Sequence, residues 1–258
     1  MSDPLAITQD GPVVRIRMTR PDRRNAFDAA LIAALTDAFA GAPAREGARV
    51  VVLDGAGPSF SAGADLEWMR AGLELSEAAN EADALRLVAM LDTIAGCPLP
   101  VVARVHGHAL GGGAGLVCTA DIAIAADTLE IGFTEVRLGI IPAAISPFVV
   151  RRIGAGHARA LFLRGAAIGA DEAFRIGLVH GVAAADDLDA AVDAVTRDLL
   201  AGGPEALAET KRLLDEVSAP AAPGAGPETA RRIARVRVRS EAQAGIRAFL
   251  EREKPPWR

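Results

Sequence analysis

Two short runs with almost no polar interruption, residues 49–54 (Arg-Val-Val-Val-Leu-Asp) and 100–105 (Pro-Val-Val-Ala-Arg-Val), constrain this chain more than any other feature. Each is rich in β-branched residues, is short, and reads as a mostly buried strand. Each is also preceded by apolar residues at helical spacing. Phe27, Leu31, Leu35 and Ala38 lead into the first run, and Ala84, Leu87, Val88, Leu91 and Ile94 lead into the second, stopping before Pro98. A further strand stands at the head of the series, over 13–18, where Val14, Ile16 and Met18 alternate with Arg15 and Arg17. The rhythm is strand, helix, strand, helix, strand, which predicts an α/β body.

Beyond Gly113 the pattern predicts a short helix to about residue 119 and short strands at 121–126 and 130–133. A helical region follows at 147–153, 157–163, 171–176, 188–200 and 205–217. Residues 218–227, made only of Ser, Ala, Pro and Gly, predict a loop before a last helix running through 250. With 258 residues, 51% of them hydrophobic, the chain can bury one sizeable core.

Composition removes several function classes. No stretch offers the roughly 18 apolar residues of a membrane span, and the first residues lack the order of a signal peptide, so a cytoplasmic location is expected. The only cysteines, Cys97 and Cys118, lie in no paired ligand spacing, which argues against a disulfide framework or a zinc site. Tyrosine is absent, so no mechanism here uses a phenol. The only lysines, Lys211 and Lys254, sit among charged neighbours, which disfavours a Schiff base. A net charge of -5 speaks against nucleic acid as a partner, because phosphate neutralisation needs concentrated Lys and Arg. One basic stripe, Arg231, Arg235 and Arg239, is better explained as a solvated or subunit-contact face.

Familiar catalytic motifs also fail. Leu116 stands where a dinucleotide fingerprint after Gly111-Gly112-Gly113 needs its third glycine, and no phosphate loop, His-Glu-x-x-His or Gly-x-Ser-x-Gly is present. His106, His108, His157 and His180 have neither metal spacing nor a paired nucleophile, so structural roles are expected of them. What remains is a pair of glycine-containing turns, each leading from a strand into a helix: residues 59–66 (Ser-Phe-Ser-Ala-Gly-Ala-Asp-Leu) and 108–114 (His-Ala-Leu-Gly-Gly-Gly-Ala). Helix N-termini present unpaired N–H groups, so two such turns can form an oxyanion hole. The same glycines equally suit sharp turns and close packing.

These turns, together with Glu135-Val136-Arg137-Leu138-Gly139-Ile140-Ile141-Pro142, resemble the enoyl-CoA hydratase/isomerase, or crotonase, family. The likeness runs from Arg20-Pro21 through Ala170-Asp171-Glu172-Ala173 and Gly177-Leu178-Val179 to Gly245-Ile246-Arg247-Ala248-Phe249-Leu250-Glu251. It implies an α/β crotonase spiral of repeated ββα units over 1–200, followed by a helical region over 201–258 that mediates trimer contacts, often with two trimers stacked. The substrate it implies is an acyl-CoA thioester, with no cofactor beyond the coenzyme A that the substrate carries and no metal. Carried over by position, the main-chain N–H groups of Ala64 and Gly112 hold the thioester oxygen, and Glu135 is the acid/base carboxylate. Arg23, Arg24 and Ala26 approach the nucleotide end, and Ala62, Asp65 and Leu66 line the turn where the pantetheine bends. Trp68, Gly115, Leu138 and Pro142 belong to the acyl pocket.

One position departs from the two-glutamate hydratases: Gly115 stands where they carry their other acid. Its expected effect is to remove a like charge and open space for a branched or acidic acyl chain. The segment 135–150 and Trp68-Met69 look closest to bacterial methylglutaconyl-CoA hydratases, so the resemblance implies a hydratase ahead of a one-glutamate isomerase. A noncatalytic acyl-CoA or RNA binding protein is the alternative from another class.

Overall fold

The computed structural model describes residues 3–217 together with 240, 241, 244, 248, 251, 253, 254 and 256. In chain order the elements are β1 (Leu5–Asp10), β2 (Val13–Met18), α1 (Ala29–Gly41), β3 (Val50–Gly55), α2 (Leu66–Gly72), α3 (Glu77–Ala95), β4 (Val101–Val105), β5 (His108–Leu110) and α4 (Gly112–Thr119). They continue with β6 (Ile122–Ala126), β7 (Glu130–Gly132), α5 (Ser146–Arg164), β8 (Ala167–Gly169), α6 (Ala170–Arg175), β9 (Gly181–Ala183), α7 (Leu188–Leu200) and α8 (Pro204–Val217). A 3-10 turn, Glu135–Leu138, lies between β7 and α5.

Six strands form the main sheet in the order β1-β2-β3-β4-β6-β9, all parallel except for the antiparallel hairpin of β1 on β2. β3 is buried at every position. Val51 and Leu53 share one apolar cluster with Leu31 and Leu35 of α1 and Leu91 and Ile94 of α3. On the other face, Val50 and Val52 join Val102, Ile124 and the α7 residues Leu188 and Val192. A parallel strand covered on both faces has no polar side to show, which is why residues 49–54 carry no alternation.

A smaller sheet, β5-β7-β8, stands beside the first and supports the start of α4. Its strands have three residues each, too few to display a period, and β9 is as short; of these only β7 meets an expected strand, at 130–133. β1 was invisible for another reason: five of its six positions are exposed, so it carries almost no core-facing signal. The helical spacing at 147–153 and 157–163 falls within α5, which breaks at Gly154, where φ is 72° and ψ 160°.

The sequence-predicted loop at 218–227 and the basic stripe of Arg231, Arg235 and Arg239 lie outside the described residues. So does most of the last helix, whose described positions 240, 241, 244, 248 and 251 are helical. Glu241 accepts hydrogen bonds from the N–H groups of Glu205 and Ala206 at 2.9 and 2.8 Å, which caps the start of α8 from a distant part of the chain. Among the described residues no helix is long and apolar enough to cross a membrane.

Candidate active site

The first turn, between β3 and α2, is held on two sides. On one side Ser61 bridges Ala109 in parallel fashion, with Ser61 N–H donating to His108 O at 3.1 Å and Leu110 N–H donating to Ser61 O at 3.0 Å. On the other side Phe27 bridges Ala64: Phe27 N–H donates to Gly63 O at 2.6 Å and Asp65 N–H to Phe27 O at 2.8 Å. Phe60 N–H reaches His106 O, Ala62 N–H reaches Arg24 O, and Gly63 N–H reaches the Ser61 hydroxyl. Every amide from 60 to 65 therefore has a partner among the described residues except that of Ala64.

The second turn brings the chain from β5 into α4. Gly111 N–H donates to Gly132 O at 2.8 Å, and Gly115 N–H closes the first helical turn on Gly111 O at 3.0 Å. Gly112, at the first helical position, has an N–H with no partner among the described residues. The two turns touch: a Cβ on Gly63, whose φ is +88°, would sit 2.6 Å from Leu110 O and 3.4 Å from Gly112 N. Glu135 leans over the same place, its Oε1 3.2 Å from where a Cβ on Gly111 would lie. Its other oxygen, Oε2, is buried without a hydrogen-bond partner among the described residues. Burial pushes the Glu135 carboxyl above its ordinary pKa, against a smaller pull from its own main-chain N–H. Two unpaired amides and a carboxyl whose pKa burial raises are thus gathered at one spot.

The chain matches known proteins along nearly its whole length. The sequence model of the enoyl-CoA hydratase/isomerase family matches residues 8–258. The chain belongs to that family. A Thermus thermophilus protein provisionally named an enoyl-CoA hydratase is 34% identical over 252 residues, covering 96% of this chain and 98% of its own length. Among solved structures, an enoyl-CoA hydratase from Shewanella pealeana superposes with a TM-score of 0.95 at 36% identity, covering 98% of this chain and 96% of that one. An enoyl-CoA hydratase/isomerase from Marinobacter aquaeolei gives 0.92 at 34% identity over 99% of each chain. The α/β crotonase fold implied by the sequence is the fold observed.

Within that family frame, the other sequence-predicted positions divide. Ala62 lies half-buried in the first turn, and Ala26 is buried with its carbonyl accepting from Arg20 at 2.8 Å. Asp65 caps α2, accepting from Glu67 N–H and Trp68 N–H at 2.9 and 3.4 Å. Burial acts to raise its pKa, but Arg23 and these amides outweigh burial and hold the carboxyl below the usual range. Arg23 is exposed but already paired, with Asp65 at 3.1 Å and Glu67 at 2.8 Å. Arg24 is exposed and sits in the left-handed region at φ 50°. Leu66 is 74% exposed and Leu138 63%, whereas Pro142 is buried and Trp68 packs part-buried against the core.

Gly115 requires a correction. The space expected there is already filled: a Cβ on Gly115 would lie 2.2 Å from Ile145 Cγ2 and 2.6 Å from Ile145 Cβ. Ile145, itself buried, occupies the volume that the missing side chain was expected to leave for an acyl group.

Three supporting residues escaped the sequence reading. Asn25, fully buried at φ 53°, accepts from Arg20 N–H and donates to Ala56 O and Ser59 O, each at 2.9 Å. Its own carbonyl accepts from the Ser61 hydroxyl at 2.9 Å, so it ties the 20–27 segment to the first turn. Phe27 lays its ring against Gly112, 3.0 Å from a Cβ there. Ile145 is the third. An asparagine following two arginines in a turn is a weak signal for a left-handed position, and nothing local marks the other two.

Proposed function

We propose that this protein catalyses reversible addition of water to the double bond of a 2-enoyl-CoA thioester. The observation that carries the reading is the meeting of two unpaired amides, Ala64 and Gly112, with the part-buried Glu135 carboxyl. A thioester oxygen placed between such amides gains negative charge as the enolate forms, and donors of this kind are typically worth about 2.7–4 kcal/mol each in the transition state. Glu135 takes a proton from water as its oxygen attacks Cβ, and then delivers a proton to Cα; dehydration runs the steps in reverse. A carboxyl raised by burial suits both halves of that exchange. Water, one acid and two amides suffice, so the reaction as proposed needs no metal or redox cofactor.

Within this class we favour a branched or acidic acyl group such as methylglutaconyl, on the resemblance of residues 135–150 and Trp68-Met69. The filled space at Gly115 withdraws one support from that choice, so it rests on those segments alone. The chain works as a trimer or a pair of trimers in this proposal. A second reading, double-bond isomerisation with Glu135 moving a proton between two carbons, is favoured by the absence of any side chain at Gly115 and by Ile145 closing that place.

The deciding experiment is a turnover screen over 2-enoyl-CoA thioesters of different length and branching, with Glu135→Gln beside the wild type. A 3-hydroxyacyl-CoA product lost in the variant supports hydration. A 3-enoyl-CoA converted first to the 2-enoyl isomer supports the second reading. Full activity in Glu135→Gln, or no turnover combined with tight RNA binding at physiological salt, defeats both.

A further inference from the structure

Gly112 belongs to α4, whereas Glu135 belongs to the segment that runs into α5, so their separation depends on how that segment is fastened to α4. Two contacts stand out among those that fasten it. The first is Ile145, seated on Gly115 one turn into α4 and leaving no room for a Cβ there. The second is Arg152, two turns further along α5. Its guanidinium reaches the far end of α4, donating to Cys118 O at 3.2 Å and to Ala120 O. Carbonyls at a helix C-terminus carry partial negative charge, so a cation there is favourable.

Arg152 has no carboxylate partner among the described residues. The neighbouring acids Asp121 and Asp215 are taken by Lys211 at 2.6 Å and Arg151 at 2.8 Å. Arg152 Nη1 also lies 3.2 Å from His180 Nδ1, the same nitrogen that accepts from Ala123 N–H of β6 at 2.9 Å. Burial and the adjacent Arg152 push His180 down to about 4, so it stays neutral there and adds no second charge. The guanidinium is therefore committed to main-chain carbonyls and a neutral ring, an arrangement that fixes elements relative to one another.

We propose that Arg152 and Ile145 are positioning residues that splint α5 along α4 and so hold Glu135 at a set distance from the Gly112 amide. The role in turnover rests on the reading above, in which both groups act on one thioester; the splint itself does not.

The test uses the full chain with Arg152→Gln, Arg152→Lys and Ile145→Ala, and with Arg151→Gln as a control for a neighbouring exposed cation. Amide hydrogen exchange is followed over residues 115–119, and kcat and KM are measured on an enoyl-CoA that the wild type turns over. The expected result is exchange at least tenfold faster in Arg152→Gln and Ile145→Ala, with kcat down at least tenfold and KM within threefold, because small misplacements of reacting groups cost rate more than binding. Arg152→Lys recovers part of kcat, and Arg151→Gln changes neither readout. Unaltered protection in the two test variants overturns the splint whatever the enzyme turns over. Lost protection with kcat intact overturns the positioning role. Failure of the wild type on every enoyl-CoA defeats the functional reading instead, while the exchange measurement still decides the splint. If Arg152→Gln does not fold, Ile145→Ala, which keeps every Arg152 hydrogen bond, decides the same question.

Discussion

Replacing Glu135 by glutamine keeps the shape of the side chain and removes its charge, which separates what the carboxyl does for turnover from what it costs the fold. Burial raises its folded pKa above the value of an ordinary glutamate, which is about 4.3. Below that ordinary value the carboxyl is protonated in both folded and unfolded chains, and the variant and wild type differ little. As pH rises the unfolded chain ionises first, so the wild type loses stability relative to the variant until the folded pKa is passed, after which the difference is constant. The oxygen responsible is Oε2, buried without a partner among the described residues. A stranded acceptor costs about 1–3 kcal/mol and more when charged; the variant's amide bears the uncharged part of that cost as well, and solvent screening of a part-buried residue weakens the rest, so the difference is about 1 kcal/mol. For a chain of this size that corresponds to a melting temperature about 2–4 °C higher in the variant at neutral pH. Activity falls in the opposite sense, by about 10²–10⁴ for loss of a general acid/base. Thermal melts from pH 4 to 8, with turnover at neutral pH, check both. A variant no more stable at pH 7, or as much stabilised at pH 4 as at pH 7, refutes the burial argument, and retained turnover refutes the catalytic one.

Three further outcomes follow from the same geometry. Gly63→Ala places a Cβ 2.6 Å from Leu110 O at a φ of +88°, so it costs about 1–3 kcal/mol and, by parting the two turns, lowers kcat more than it raises KM; a stable, active variant counts against the touching turns. Gly115→Ala overlaps Ile145 and loses about 1–3 kcal/mol, and adding Ile145→Ala recovers part of it; strictly additive effects in the melting cycle exclude that contact. Arg23→Gln raises KM for the CoA thioester at low salt while Glu67→Gln, which frees Arg23 from its 2.8 Å pair, lowers it, and both effects fade as salt screens the charges; KM unmoved in both removes Arg23 from the nucleotide end.

The parts of the fold legible in the sequence were those with a long, repeated signal. β2 and α7 occur with the predicted bounds, since six alternating residues and thirteen helical ones leave little ambiguity. β5, β8 and β9 were lost because three residues cannot establish a period, and β1 because it buries so little. The two glycine turns were legible as helix-opening turns, but only the resemblance singled out Ala64 and Gly112 within them. Ile145 illustrates the limit: its role depends on meeting Gly115 thirty residues away, and nothing in an isoleucine before Ser146-Pro147 announces that contact. The error about open space at Gly115 has the same origin, for a missing side chain says nothing of what a distant residue puts in its place.

Why Ala64 in particular keeps an unpaired amide follows from the rules of parallel pairing. In a parallel bridge one residue bonds to the neighbours of its partner, not to the partner itself. Phe27 accordingly engages Gly63 O and Asp65 N–H, so the N–H of Ala64 faces away from Phe27. Where another strand would have continued the ladder, the chain turns at Gly111, with φ at 52°, and enters α4. A helix start offers amides of its own and no acceptor for Ala64, so the register that completes one side of the turn leaves the other open. In the proposed mechanism the chemistry then depends on backbone register more than on the identity of the side chain at Ala64, and an alanine and a glycine can occupy its centre because only their N–H groups would meet the thioester oxygen.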